Sequence, residues 1–473
     1  MSHHHDKSRR KFIGQASCAA LGSTTLLSTL TNLKFINAAA AANSSTLVNG
    51  DYKAMVCILL SGGSDSHNML IPTESGQYAQ YAATRGDSTT ASGVSIPRDQ
   101  ILQLNNSDYG VHPSMSGIQR LYNQNKLSFI SNIGTLIQPL TKDEVWNNEQ
   151  LLPLGLFSHS DQVQQWQTSV PHDRSNIGWG GKIADLMGDM NDNDKISLNI
   201  SLAGTNVFQT GTSSVEYSLD SQNGAIGISD YKTEVNPEQF ESARNKAIDN
   251  IIDAQYADVF KRTYIDAVKV SRDAQKEFSE ALEAAPDLSA VFSNNELADQ
   301  LEMIARSIAI RESLGMKRQI FFVEYGGWDH HDELLNSQNV MLSILSSAME
   351  EFQTALDSLG VGDCVTTFTC SEFGRTLTWN GNGTDHAWGG NVMVMGGPVV
   401  GGQIHGTYPS LELESEWEAG GGGIMIPTTS CDEYFAELAQ WFGVQPSELT
   451  TLFPNAGNFF DTQSGEAPIG FMG

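Results

Sequence analysis

Two short stretches hold residues whose types and spacing could do chemistry. One is Tyr325-Gly326-Gly327-Trp328-Asp329-His330-His331-Asp332. The other is Thr369-Cys370-Ser371-Glu372-Phe373-Gly374-Arg375-Thr376, followed by Gly383-Thr384-Asp385-His386. Each opens behind an apolar run that reads as a buried strand, 319–323 and 364–369. Carboxylates and imidazoles are metal ligands, and loops past strand ends are where an open α/β sheet builds its sites. The pattern therefore reads as a metal-dependent enzyme. Asp329 and His331 are two apart, so extended backbone points both to one side, where they can share an ion. His330 then points elsewhere. Glu372 lies one step past its strand and can face the same crevice; a salt bridge to Arg375 is the alternative. Asp385 and His386 stand in a Gly-flanked loop that can be held against the site; a turn aspartate is the alternative.

Three further segments add candidates. A strand predicted at 53–60 ends in Ser61-Gly62-Gly63-Ser64-Asp65-Ser66-His67-Asn68. Asp65 is a candidate ligand there, and the glycines would let a substrate oxyanion approach the backbone. Ser158 and His159 open a helix expected to run through Trp166. A nucleophile or anion at that point gains from free N–H groups and the helix dipole. Ser158 is equally a natural N-cap. Arg375 presents a planar fork that suits phosphate or sulfate. Other chemistries lack their signatures: the chain has no HExxH, no GxSxG, no Walker A sequence and no GxGxxG behind a strand.

The elements that must position these residues alternate along the chain. Strands are predicted at 53–60, 127–133, 196–202, 319–323, 364–369 and 391–395. Helices are predicted at 116–125, 178–187, 294–314, 339–359 and 431–442. The segment 205–290 reads as an irregular excursion followed by a charged helical cover of two or more helices. Alternating strands and helices call for an α/β fold with a mostly parallel central sheet and helices on both faces. The run at 53–60 is continuously apolar, as for a strand covered on both sides.

The N-terminus reads as an address. Ser8-Arg9-Arg10-Lys11-Phe12-Ile13 is a twin-arginine signature, with a weakly apolar run and small residues at 38–42 behind it. We expect residues 1–42 to be a signal peptide read by the twin-arginine export machinery, and 43–473 to be one periplasmic or secreted domain. The apolar run is too short and too rich in Ser and Thr to span a bilayer. Removing residues 1–42 takes away five basic side chains and one acid, so the net charge of -28 becomes -32. So acidic a body argues against nucleic acid and anionic membranes as partners. Cys57, Cys364, Cys370 and Cys431 remain, with no CxxC among them, which excludes a zinc ribbon. Cys364 and Cys370, six apart on one expected strand, are about 20 Å apart and cannot bridge. Buried thiols, with at most one disulfide, are expected.

Five segments in order resemble the family of bacterial secreted proteins catalogued as domain of unknown function 1501. They are Gly62-Gly63-Ser64-Asp65-Ser66-His67-Asn68, Ser158-His159-Ser160-Asp161-Gln162, Gly327-Trp328-Asp329-His330-His331, Ser371 to Arg375, and Gly383 to His386. That family resembles the alkaline phosphatase and sulfatase superfamily, which implies an alkaline phosphatase-like fold with metal at strand ends. Carried over by residue, Asp65, Asp329, His331 and His386 match its ligands. Where the superfamily has Asp-His after the penultimate strand, this chain has Glu372-Phe373. Phe cannot bind a metal, so Asp385 or His159 would have to replace that ligand. The resemblance implies a hydrolase of phosphate or sulfate esters, with a small-molecule or polysaccharide substrate, one or two divalent metal ions (zinc, calcium or manganese) and attack by Ser158. The alternative is an exported binding or surface-assembly protein on a degraded hydrolase scaffold.

Overall fold

The computed structural model describes residues 52–90, 92–227 and 240–473. The leader expected at 1–42 lies outside them. Among the described residues, ten strands form the main sheet: β1 (Lys53–Ser61), β2 (Leu127–Gly134), β3 (Asn199–Ser201), β4 (Tyr217–Asp220), β5 (Gly224–Ala225), β6 (Arg318–Gly326), β7 (Val365–Cys370), β8 (Gly390–Gly396), β9 (Ile404–His405) and β10 (Thr429–Ser430). They lie in the order β5-β4-β3-β6-β1-β7-β8-β2-β9, with β10 also on β2. The ladders β4-β3-β6-β1-β7 are parallel. β8 is reversed between β7 and β2, and β5 is reversed on β4.

The longer helices among the described residues surround the sheet: α1 (Ser75–Arg85), α2 (Ser116–Asn123), α3 (His159–Thr168), α4 (Trp179–Met187), α5 (Phe240–Ile252), α6 (Val259–Glu283), α7 (Glu296–Ala309), α8 (Leu334–Ser358) and α9 (Cys431–Phe442). The fold is the expected α/β architecture with a mixed, mostly parallel sheet. β1 shows why its sequence is apolar without a break. Ala54, Val56, Ile58 and Leu60 point into one core with Leu301 and Ile304 of α7 and Leu345, Met349 and Phe352 of α8. Met55, Cys57 and Leu59 point into the other, with Trp179 and Ile183 of α4 and Tyr434, Phe435 and Leu438 of α9. A strand with two buried faces needs no polar alternation. Each fully buried aliphatic or aromatic side chain stabilises the fold by about 1.5–3 kcal/mol.

The cysteines behave as packing. Cys57, Cys364, Cys370 and Cys431 form no disulfide, and Cys57 Sγ lies 3.6 Å from Cys370 Sγ in the core. Cys57 faces Phe368 in the ladder, so Cys370 is two residues out of register. That offset places the two Cα atoms about 8 Å apart, beyond disulfide reach.

Asp65, in the loop after β1, is fully buried. Its carboxylate accepts from Arg85 Nη2 (2.6 Å), from Thr384 Oγ1 (3.1 Å) and from the His67 N–H (3.2 Å), and both charged side chains are fully buried. Burial is the largest influence and works to raise its pKa, but the charges of Arg85 and His67 and the hydrogen bonds from Arg85 and Thr384 together outweigh it and lower the pKa. A depressed carboxyl stabilises the fold above its ordinary value of 3.8 and loses that contribution as pH falls below it. Arg85→Met leaves this carboxylate buried and unpaired, so denaturant unfolding at neutral pH should show a loss of about 3–5 kcal/mol. The difference from the parent should shrink as the pH is lowered through the aspartate range.

Candidate metal centre at the sheet edge

Five chain segments reach one edge of the sheet. β1, β2, β6 and β7 end there, and the reversed β8 begins there, opposite the end of β2. The loop after β6 carries Asp329 and His331. The turn after β7 carries Glu372 and Arg375. The loop before β8 carries Asp385 and His386, and it is paired back on that turn: Thr376 N–H donates to the Asp385 carbonyl (3.0 Å) and Ala387 N–H to the Gly374 carbonyl (2.9 Å). This short antiparallel contact sets His386 beside Arg375. α3, reached from β2, brings His159.

Asp329 is the meeting point. Its Oδ1 lies 3.2 Å from His331 Nε2 and 3.2 Å from His386 Nε2, and its Oδ2 lies 3.5 Å from His159 Nε2. His159, Asp329 and His386 form the group among the described residues that could hold an ion. Each imidazole has its other nitrogen tied down. His159 Nδ1 is 2.9 Å from Glu372 Oε1, His331 Nδ1 is 3.1 Å from Asp385 Oδ1, and His386 Nδ1 is 2.9 Å from the Phe157 carbonyl. Carboxylates and carbonyls only accept, so each Nδ1 is the donor; a neutral ring then turns an Nε2 lone pair to the centre, whereas a protonated ring donates its Nε2–H to Asp329.

The consequence is electrostatic. His331 Nε2 and His386 Nε2 are 2.9 Å apart. Two lone pairs at that distance repel unless a proton or a metal ion lies between them. Bonds of 2.0–2.1 Å in a tetrahedral site put neighbouring ligand atoms about 3.3–3.4 Å apart. The separations of 2.9–3.5 Å around Asp329 bracket that value. The residues present therefore fit a divalent ion. The two imidazole nitrogens and the carboxylate of His159, His386 and Asp329 suit zinc, and poorly suit calcium, which takes oxygen ligands. Burial works to raise the Asp329 carboxyl, but the hydrogen bond and charge of Arg375, with help from His386 and His331, hold it down at about 2. Burial is also the largest influence lowering the His386 pKa, which favours its neutral form.

These contacts show which partners the expected site residues have. Arg375 is fully buried and gives its donors to the carbonyls of Gly63 (2.7 Å), Gly62 (2.6 Å) and Thr384 (3.0 Å), and to Asp329. Four of its five N–H groups are thereby spent, so it holds Asp329 in place and does not clamp an oxyanion. Its partner is Asp329, not Glu372. Glu372 accepts from the Gly62 N–H (2.7 Å) and from His159 Nδ1 (2.9 Å), so its Oε1 is committed to those two partners. Asp385 Oδ1 is likewise committed to His331 Nδ1 and to Asn380 Nδ2 at 2.9 Å. Asp65 is committed to Arg85 and stands apart from the group around Asp329. Ser158 is the N-cap of α3: its Oγ lies 3.5 Å from the Asp161 N–H and 3.2 Å from Ser160 Oγ. The Gly62 N–H is taken by Glu372 and the Ser64 N–H by Ser371 Oγ, and Gly62 serves close loop packing. Gly62 has φ +126°, and a Cβ there would stand 2.5 Å from the Asp329 N.

Two contributors carry no sequence signal as ligands. Phe157, at φ +72°, supplies a backbone carbonyl. Phe373 sets its ring 4.9 Å from His159 and 4.6 Å from His386, so the side chain that could not bind a metal packs both imidazoles in place.

The family whose sequence model matches residues 52–418 is described as "Protein of unknown function (DUF1501)". The chain belongs to that family. No curated protein matches it. Among solved structures, this DUF1501 chain is similar to the PsFucS1 sulfatase from Pseudoalteromonas sp., at 11% identity and a TM-score of 0.32, over 87% of this chain and 72% of that one. It is also similar to Ps i-CgsB in complex with k-i-k-neocarrahexaose, at 11% identity and a TM-score of 0.33, over 86% and 78%. A mutant of the alkaline phosphatase PafA matches at 12% identity and a TM-score of 0.27, over 69% and 63%. Likenesses at these scores carry no argument about chemistry, which rests on the residues around Asp329. Ser158→Ala should cost about 1 kcal/mol of stability through the lost cap, measured by thermal unfolding, and should leave divalent-ion binding unchanged by titration calorimetry.

Proposed function

We propose that this DUF1501 protein is an exported, metal-dependent hydrolase of phosphate or sulfate esters. The observation that carries the reading is the convergence of three Nε2 atoms on Asp329, each with its Nδ1 held by an acceptor. His159, Asp329 and His386 would hold the ion, and Glu372, Asp385, Arg375 and the Phe157 carbonyl would keep them aimed. Such an ion supplies polarisation of the ester oxygen and acidifies water beside it. His331, on the exposed rim and anchored by Asp385, would take up a proton at Nε2. On this reading the nucleophile is water, because Ser158 caps α3 and no contact brings its Oγ to the centre. Export rests on the twin-arginine sequence at 8–13. No helix among the described residues is long and apolar enough to cross a membrane.

One observation favours a second reading, in which the centre holds metal without turning over substrate. Arg375 is spent on backbone carbonyls and Asp329, so the site has no free guanidinium for an anionic ester. Metal content and turnover separate the two. The test is elemental analysis of the protein exported by its own leader and purified without chelator. We expect one tightly bound transition ion per chain, lost in Asp329→Ala. Glu372→Gln should weaken its affinity by about 10–100-fold. The loaded protein should hydrolyse phosphate or sulfate esters, and the Asp329→Ala protein should not. A protein that takes up neither zinc nor manganese would overturn the metal centre. Full metal content with no turnover of either ester class would leave only the second reading.

A further inference from the structure

Helix α6 outruns the surface that supports it. Phe260, Tyr264, Ala267, Ser271, Ala274 and Phe278 recur at alternating spacings of four and three, which puts them on one stripe. The C-terminal half of the stripe is buried. Ala274, Phe278 and Leu282 join the core beside β4 and β5, with the Phe278 ring 5.9 Å from Tyr217. The N-terminal half is bare. Phe260 is 86% exposed and Tyr264 69%, and Ala267 and Ser271 are exposed as well. Lys261, Arg262, Asp266 and Lys269 all lie about 90° or more from the stripe's centre line, so the bare half carries no charge. Alongside it runs a mixed groove of about 440 Å3 between α6 and β4, where Val215, Tyr217, Ala267 and Val270 are joined by the charged Lys195, Glu216 and Asp266. An exposed apolar stripe of this kind marks an interaction surface.

We infer that the bare half of α6 is a self-association surface that pairs antiparallel with the same helix of a second copy. Its distribution of bulk selects that occupant. The large side chains, Phe260 and Tyr264, stand toward the N-terminus; the small ones, Ala267 and Ser271, stand toward the C-terminus. A two-fold axis passing between Ile265 and Asp266 sets Phe260 of one copy against Ser271 of the other, and Tyr264 against Ala267, each contact occurring twice. Large side chains then meet small ones throughout, and each Phe260 faces the groove beside the other copy's Ser271. A parallel pairing would stack Phe260 on Phe260 and leave both grooves empty. The body works against association, because the chain's net charge of -28 makes two copies repel. Salt screens that repulsion without weakening apolar contact, so the dimer tightens as salt rises.

Sedimentation equilibrium of the purified full-length chain tests this. At about 0.15 M salt we expect a concentration-dependent monomer–dimer equilibrium that shifts toward dimer as salt is raised. Phe260→Asp and Ala267→Arg should each raise the dissociation constant at least about tenfold. Lys276→Glu, off the stripe, should leave it unchanged. The substituted side chains are exposed, and an unchanged circular dichroism spectrum verifies that both variants fold. A monomer at every concentration and salt, or a dimer that survives both stripe substitutions, overturns the inference. So does a monomer that binds anionic phospholipid vesicles only while Phe260 is intact, which would assign the stripe to a bilayer surface.

Discussion

The buried guanidinium of Arg375 ties the sheet edge together. A planar cation with no exposed surface must satisfy its donors within the protein, since a buried charge left unpaired costs several kcal/mol. Here it does so by binding the loop after β1 through the Gly62 and Gly63 carbonyls, the loop before β8 through Thr384, and the loop after β6 through Asp329. Three segments far apart in sequence are thereby fixed to one rigid fork. Asp329 is the only carboxylate among those partners, so the charge balance of the edge and the position of the centre are the same problem. Once Asp329 is placed, the three imidazoles have a common point to face.

The repulsion built into that arrangement is informative. An aspartate held at a pKa of about 2 stays ionised at any physiological pH. Three imidazoles crowd around it with their Nδ1 atoms occupied, which raises the electron density at each Nε2. A structure that needed only internal hydrogen bonds would let one ring turn and donate toward another's lone pair. Instead Glu372, Asp385 and the Phe157 carbonyl oppose that rotation, and Phe373 packs against two of the rings. Such pinning keeps each Nε2 turned toward Asp329.

Much of this was legible in the sequence, but not who pairs with whom. The strands at 53–60, 127–133, 319–323, 364–369 and 391–395 are long apolar runs, and the structure places β1, β2, β6, β7 and β8 on them; α9 occupies the expected 431–442. Shorter elements were missed because two or three residues carry no periodicity. Examples are the three-stranded sheet of Leu70–Pro72, Leu102–Gln103 and Tyr109–Val111, and strands β4 and β5 inside the segment read as irregular. α8 begins at Leu334, several residues before the expected start, because nothing local marks its N-terminus: Glu333 takes a left-handed conformation and makes no side-chain cap. At the centre, residue types named the neighbourhood. Roles within it depended on tertiary contacts, such as Glu372 reaching His159 across 213 residues and Arg85 claiming Asp65 across 20, and no local spacing encodes those.

The reversed strand β8 shows why such a centre forms at this edge. In an all-parallel sheet every chain segment leaves the carboxyl edge and returns at the other, so each strand can offer only the residues just past its C-terminal end. β8 runs the opposite way, so the residues that precede it, Asp385 and His386, arrive at the edge where Asp329 and Glu372 depart. The Gly374–Thr376 turn and the 385–387 segment then pair as neighbours, because one leaves a strand at the level where the other approaches one. A single inverted strand thus brings His386 as a third imidazole, and Asp385 as the anchor of His331, to an edge that would otherwise hold two imidazoles with only one of them tied to a carboxylate.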